Sequence, residues 1–148
     1  AGGCCILHML AEIDPSTTVI NLDTGYQFPE TLELRDRILA RYGIAVELIQ
    51  PELTVAEYET EHGGPLYEIR SDQCCHDRKV LPLQRAMAHY RPRAWISAIR
   101  RDQTQTRATT ATVVQWDPKF QLVKVNPLLN WTKKEVWAFV VKHDVPYN

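Results

Sequence analysis

Two stretches of this chain combine residue types that could do chemistry. The first is Cys74-Cys75-His76-Asp77-Arg78-Lys79, two adjacent thiols followed two residues later by two cations. Neighbouring cysteines make a poor disulfide, because closing the bond between them forces a strained ring. Arg78 and Lys79 favour thiolates, the form that binds metals and attacks electrophiles. The alternative is that both cysteines pack as small buried hydrophobes. The second stretch is Arg100-Arg101-Asp102-Gln103-Thr104-Gln105-Thr106-Arg107, with three guanidiniums and two hydroxyls. Such a set fits bidentate capture of phosphate or sulfate oxygens. A solvated arginine loop is the alternative there.

The charge pattern bears on both. Net charge is -1 over 148 residues, yet residues 78–107 hold eight Lys/Arg against one acid, Asp102. A focused positive field suits a polyanionic ligand. The weak overall charge argues against a protein that coats long nucleic acid. No apolar run approaches the ~20 residues that a spanning helix needs, so no membrane partner is expected. Four cysteines in two adjacent pairs do not form a secreted disulfide framework, and a reducing, cytoplasmic setting is expected. The length is that of one domain, 1–148. The chain opens without Met and closes in loop chemistry at Val145-Pro146-Tyr147-Asn148, so flanking sequence is expected at both ends.

The elements that must position these residues follow from periodicity. Ile6, Met9, Leu10 and Ile13 mark one helical face that opens on Cys4 and Cys5. Those two cysteines read as packing residues, since nothing nearby supplies cations or further ligands. Val19 to Leu22 is a buried strand ending in Asp23-Thr24-Gly25, and a helix begins near Pro29 and stops at Gly43. Strand, glycine turn and helix form the half-unit of an α/β sheet, whose ligands sit beyond the carboxyl ends of the strands. Leu22, Asp23, Thr24 and Gly25 would lie there. The alternative is a connecting turn with Asp23 as a cap. Ala45 to Ile49 is a second strand, and Thr54 with Glu57 opens a polar helix with a capping box. A mobile connection then leads to the cysteine pair. Pro82 fits only a first helical turn, which places Cys74 to Lys79 at or just before a helix N-terminus. That position would lower a thiol pKa and attract anions. Ala94 to Ile99 is a third strand leading into the arginines. Val113–Trp116 and Leu122–Val125 form a hairpin around Asp117-Pro118, and Thr132 with Glu135 caps a last helix. The fold class is α/β, one doubly wound, mostly parallel sheet.

Taken together, Cys74-Cys75-x-x-Arg78-Lys79-Val80-x-Pro82-Leu83, Trp95, Arg100-Arg101-Asp102-Gln103-Thr104-x-x-Arg107, Lys124-Val125-Asn126-Pro127-Leu128 and Trp131 resemble the sulfonucleotide reductases. Leu22-Asp23-Thr24-Gly25 with Phe28-x-Glu30-Thr31 matches another block of that family. The resemblance runs the length of the chain and is nearest to the assimilatory adenylyl-sulfate (APS) reductases. It implies an adenine-nucleotide α-hydrolase-like fold and reduction of adenylyl sulfate to sulfite and AMP. In such enzymes a thiolate attacks the sulfur to give an S-sulfocysteine, from which thioredoxin releases sulfite. By the same resemblance, Cys74 and Cys75 would hold two corners of a [4Fe-4S] cluster, and Lys79 would place a cation near the sulfate. Arg100, Arg101 and Arg107 would surround the phosphosulfate, and Leu22, Asp23, Thr24 and Gly25 would line the adenosine side.

The chain also departs from the family pattern. The family's second cysteine pair and its nucleophilic cysteine have no counterpart among Cys4, Cys5, Cys74 and Cys75. Its phosphate loop would fall before Ala1, Ala98 replaces a common Gly, and Thr104 replaces a common Ser. The 148 residues by themselves are therefore expected to bind nucleotide weakly and not to turn over. Three other readings stay open. They are reduction of 3′-phosphoadenylyl sulfate, which the paired cysteines disfavour, a non-catalytic nucleotide-binding module, and a zinc site shared by the two cysteine pairs. Self-association is left open.

Overall fold

The computed structural model describes residues 1–148, the side chain of Thr110 excepted. The chain divides into two compact units, one of Ala1–Thr17, Leu34–Ile44 and Pro92–Asn148, the other of Thr18–Glu33 and Ala45–Arg91.

In the second of these, β1 (Val19–Leu22) and β2 (Val46–Ile49) pair in parallel, with Val19 opposite Val46 and Leu22 opposite Ile49. Between them in sequence runs α2 (Pro29–Tyr42), which begins on Pro29, where a missing N–H costs nothing. Gly43 ends it at φ +66°. Helix α3 (Val55–His62) opens on the expected capping box, Thr54 accepting from the Glu57 N–H while the Glu57 carboxylate accepts from Thr54, and Gly63 closes it in the left-handed region. The segment that the sequence leaves as a mobile connection contains a short helix, α4 (Leu66–Ile69), anchored by the buried Leu66.

Helix α5 (Ser71–Cys75) passes through a wide π turn, His76–Val80, straight into α6 (Leu81–Tyr90). Pro82 has no N–H to give to the carbonyl of Arg78, four residues back, so an ordinary α turn would leave that carbonyl unpaired. The helix widens just before this proline, with the Leu81 N–H reaching back five residues to the carbonyl of His76. Cys74 to Lys79 therefore lie inside a helical run, and the expected placement at a helix N-terminus is corrected.

The other unit holds α1 (Gly2–Ile13), the C-terminal part of α2, β3 (Ala94–Ile96), a 3-10 turn (Arg101–Gln103), α7 (Gln105–Thr110), β4 (Val114–Asp117), β5 (Leu122–Val125) and α8 (Lys133–His143). Strand order is β3-β5-β4, with β3 parallel and β4 antiparallel to β5. The third strand stops at Ile96, earlier than its apolar run, although the Ser97 N–H still donates to the carbonyl of Val125 at 2.9 Å. The hairpin between β4 and β5 turns on Asp117, whose Oδ1 accepts from the N–H groups of Lys119 and Phe120. Thr132 and Glu135 cap α8 as expected. The core gathers Cys4, Cys5, Leu34, Ile38, Ile44, Leu122, Leu128, Leu129, Val136 and Val140. The fold is α/β with parallel pairing, as expected, but the strands bond in two sheets rather than one.

Candidate functional site

Residues Leu22 to Gly25 lie just past the carboxyl end of β1. Leu22 is the last strand residue, opposite Ile49, and the Asp23 N–H extends the ladder to the carbonyl of Ile49 at 3.0 Å. Asp23 is buried. One carboxylate oxygen accepts from the Gly25 N–H at 2.9 Å and the other from Nε2 of Gln50 at 2.9 Å. Gly25 has φ +79°, and a Cβ there would stand 2.6 Å from Cγ2 of Val55 and 3.0 Å from a guanidinium nitrogen of Arg78. The loop thus needs glycine both for its backbone and for its neighbours.

Arg78 ties this loop to the helical run that carries the cysteines. It is only 3% exposed, an unusual state for a cation that, among the described residues, forms no ion pair with a carboxylate. Its Nε donates to the carbonyl of Thr24 at 2.6 Å and its Nη1 to the carbonyl of Leu53 at 3.2 Å. The guanidinium lies over two tyrosine rings, 5.3 Å from the centroid of Tyr26 and 5.0 Å from that of Tyr58. The Tyr58 hydroxyl donates to Asp77 at 2.8 Å, and the Tyr26 hydroxyl to Glu59 at 3.0 Å. Burial and the Glu59 acceptor push the Tyr26 phenol up to about 12. Burial and the Asp77 acceptor also raise that of Tyr58. Desolvation works against the ionised form of Asp77, but the donors Tyr58 and His76 outweigh it and hold the carboxyl below its usual range. None of Tyr26, Tyr58 or the clamp on Thr24 was legible in residue spacing. The signal in Arg78 was there, but it read as a cation serving the thiols.

The two thiols stand apart in environment. Cys74 is buried with Tyr58 and Leu66, and Tyr26 packs on that cluster; Cys75 is exposed. Burial raises the Cys74 thiol pKa, and the opposing pull of Arg78 does not reverse it. The expectation that flanking cations and a helix N-terminus favour a thiolate is corrected for Cys74: it sits mid-helix and desolvated. Lys79 is exposed on the wide turn. A cavity of about 310 Å³ opens beside the clamp, with Leu53, Tyr58, His62, Asp77, Arg78 and Arg85 in its wall.

The arginine stretch belongs to the other unit. Arg100 donates from Nε to Asp102 at 2.9 Å, and Asp102 in turn accepts from the Lys133 N–H, the first of α8, at 2.7 Å. The Arg100 hydrogen bond comes first, and the Lys133 N–H adds to it, in holding the Asp102 carboxyl below the usual range. Arg101 donates to Oδ1 of Asn130 at 2.9 Å, and Arg107 to Oε1 of Gln103. Thr104 caps α7 by accepting from the Arg107 N–H. Sequence reasoning missed one neighbour here. A Cβ on Gly2 would lie 3.5 Å from Nη1 of Arg100, so the guanidinium stands at the start of α1.

The donor set for a [4Fe-4S] cluster is half present. Such a cluster takes four thiolates, and Cys74 and Cys75 offer two, one of them open to solvent. Cys4 and Cys5 are buried in the core of their own unit, Cys5 with its thiol 3.9 Å from the carbonyl of Val136. Burial raises both of their pKa values, in keeping with packing residues. Among the described residues no group of three or more His, Cys, Asp or Glu side chains converges on a metal position. Also among them, no helix is long and apolar enough to cross a membrane.

The phosphoadenosine phosphosulfate reductase domain matches residues 2–148. A phosphoadenosine 5′-phosphosulfate reductase of Gloeobacter violaceus is 45% identical over 144 residues, 97% of this chain and 58% of that protein. An adenosine 5′-phosphosulfate reductase of Bacillus cereus is 42% identical over 147 residues, 99% of this chain and 62% of that protein. The chain thus spans less than two thirds of the length of these relatives. Among solved structures, the phosphoadenylyl-sulfate (PAPS) reductase from Candida auris, in a phosphate complex, superposes with a TM-score of 0.86 at 29% identity, covering 99% of this chain and 70% of that one. With the match spanning nearly every residue, the chain belongs to the phosphoadenosine phosphosulfate reductase domain family.

Proposed function

We propose that residues 1–148 act as one domain of an enzyme that reduces adenylyl sulfate to sulfite and AMP. The observation that carries this reading is the Arg78 clamp, which ties the strand-end loop Asp23–Gly25 to the helical run bearing Cys74, Cys75 and Lys79. Leu22, Asp23, Thr24 and Gly25 bind the adenosine side. Arg100, Arg101 and Arg107 hold the phosphosulfate oxygens. Lys79, exposed on the wide turn, lends positive charge to the sulfate as the sulfur is attacked.

A cysteine thiolate, none of the four in this chain, attacks sulfur; the S–O bond breaks and AMP leaves with its electron pair. A dithiol donor of the thioredoxin kind then cleaves the resulting S-sulfocysteine, closes to a disulfide, and releases sulfite with two electrons gained. Cys74 and Cys75 supply two of the thiolates of a [4Fe-4S] cluster. When bound, such a cluster supplies a charged iron-sulfur centre whose behaviour is set by hydrogen bonds and solvent exposure. A cytoplasmic location follows from the reducing environment that free thiols need.

A second reading, reduction of 3′-phosphoadenylyl sulfate, is favoured by the names of the Gloeobacter and Candida relatives. The paired cysteines favour the first. Sulfite release from each nucleotide, with a dithiol donor and the chain carrying any flanking sequence its gene encodes, tests both. Faster turnover of adenylyl sulfate is expected. Faster turnover of the 3′-phosphorylated nucleotide installs the second reading, and neither binding nor sulfite from either nucleotide ends both.

A further inference from the structure

Arg78 has more contacts than a residue that only lends charge to the thiols needs. Its guanidinium spans two backbone carbonyls from separate loops, Thr24 after β1 and Leu53 before α3. Two ring faces, Tyr26 and Tyr58, hold the plane of the fork, and both tyrosines are fixed at their far ends by carboxylates. On the opposite side the fork abuts Gly25, where no Cβ could fit. Thr24 and Gly25 are thus held in place by one side chain, while that side chain rides on the same helical run as Cys74, Cys75 and Lys79.

We infer that Arg78 is a positioning residue, fixing the loop Asp23–Gly25 to the cysteine-bearing helix so that the loop meets a nucleotide already formed. In its nucleotide part the inference rests on the function proposed above. The physical reason is geometric. Only a planar fork donates in two divergent directions while stacking on two rings; an ammonium of the same charge cannot do both. A loop ordered in advance spares the ligand the entropy of ordering it.

The test uses Arg78→Lys and Arg78→Met in the chain with any flanking sequence its gene encodes, with two readouts. The first is amide hydrogen exchange at Gly25, whose N–H donates to Asp23, and at Tyr26. Both variants should raise exchange there about tenfold, one unit of exchange free energy being about 1.4 kcal/mol, while the β3–β5 amides stay protected. The second is AMP affinity, which should fall about tenfold in both variants, since the loop must then be ordered on binding. Wild-type exchange at Gly25 in Arg78→Lys would mean that any cation suffices and would overturn the clamp. Raised exchange with undiminished AMP affinity would reduce Arg78 to packing and overturn the positioning role. If wild type itself binds no AMP, the nucleotide reading fails, while the exchange data still decide the clamp. Should Arg78→Met lose protection throughout β1 and β2, Tyr26→Leu replaces it. That variant removes one ring face and keeps the carbonyl contacts, and it should raise exchange at Gly25 by a smaller factor; no rise would overturn the part given to the rings.

Discussion

A Cβ added to Gly25 would stand 2.6 Å from Cγ2 of Val55, closer than two carbons can approach. Gly43 also has positive φ, at +66°, yet nothing lies within 4 Å of the Cβ it would gain. The two positions separate backbone strain from crowding. Gly43→Ala should cost about 1 kcal/mol, the left-handed penalty alone. Gly25→Ala should cost roughly 2–3 kcal/mol, because overpacking against Val55 and Arg78 adds to that penalty. Equilibrium denaturation in urea reads the difference. Equal costs at the two sites would show that the Val55 contact relaxes freely.

That contrast also shows what sequence could reveal. Gly43 and Gly63 end helices by local chemistry, and the capping boxes at Thr54/Glu57 and Thr132/Glu135 involve neighbours three residues apart. All were legible. The run through Cys74 and Pro82 was not, because a proline is compatible both with a new helix start and with a wide turn that carries a helix through, and residue spacing does not choose between them. Nor could spacing show that the strands divide into two sheets, a matter of pairing between distant segments. Of the candidate site, the residue types were legible and the partners were not. Arg78 finds Thr24 across 54 positions, and Arg100 lies by Gly2 across almost a hundred.

Asp102 joins Arg100 to the start of α8, accepting from both Nε and the Lys133 N–H. Its folded pKa is lowered, chiefly by the Arg100 hydrogen bond. A depressed carboxylate stabilises the fold above its unfolded value, about 3.9, and that contribution is lost as pH falls through the lower folded value. Asp102→Asn should therefore lower the thermal midpoint at neutral pH, and the gap to wild type should close as pH drops below about 3.9. Thermal melts between neutral and acidic pH check this. A gap independent of pH would assign the loss to geometry rather than charge.

The two cysteines predict opposite patterns. Cys75 is exposed, so Cys75→Ser should leave stability nearly unchanged, whereas Cys74→Ala opens space beside Tyr58 and Leu66 and should cost about 1 kcal/mol. Both should abolish iron incorporation when the chain, with any flanking sequence its gene encodes, is reconstituted anaerobically with iron and sulfide. Iron analysis and the visible spectrum are the measurements. Iron retained by Cys75→Ser at the wild-type ratio would remove Cys75 from the cluster.

The arginines differ in what they are paired with. Arg100 bonds a carboxylate, which cancels much of its charge, whereas Arg101 and Arg107 bond the neutral amides of Asn130 and Gln103. An amide orients a guanidinium without neutralising it, so Arg101 and Arg107 keep a full charge for an incoming anion. Arg101→Ala and Arg107→Ala should each weaken adenylyl-sulfate binding about tenfold or more, since hydrogen bonds to charged groups contribute roughly 1.5–3 kcal/mol. They should also flatten the dependence of affinity on salt, because the lost interaction is between exposed charges. Arg101→Lys should recover the salt dependence but only part of the affinity, an ammonium being unable to bind two oxygens in one plane. Calorimetric titrations at low and high salt distinguish these outcomes. Unchanged affinity in both alanine variants would leave the stretch as a solvated loop.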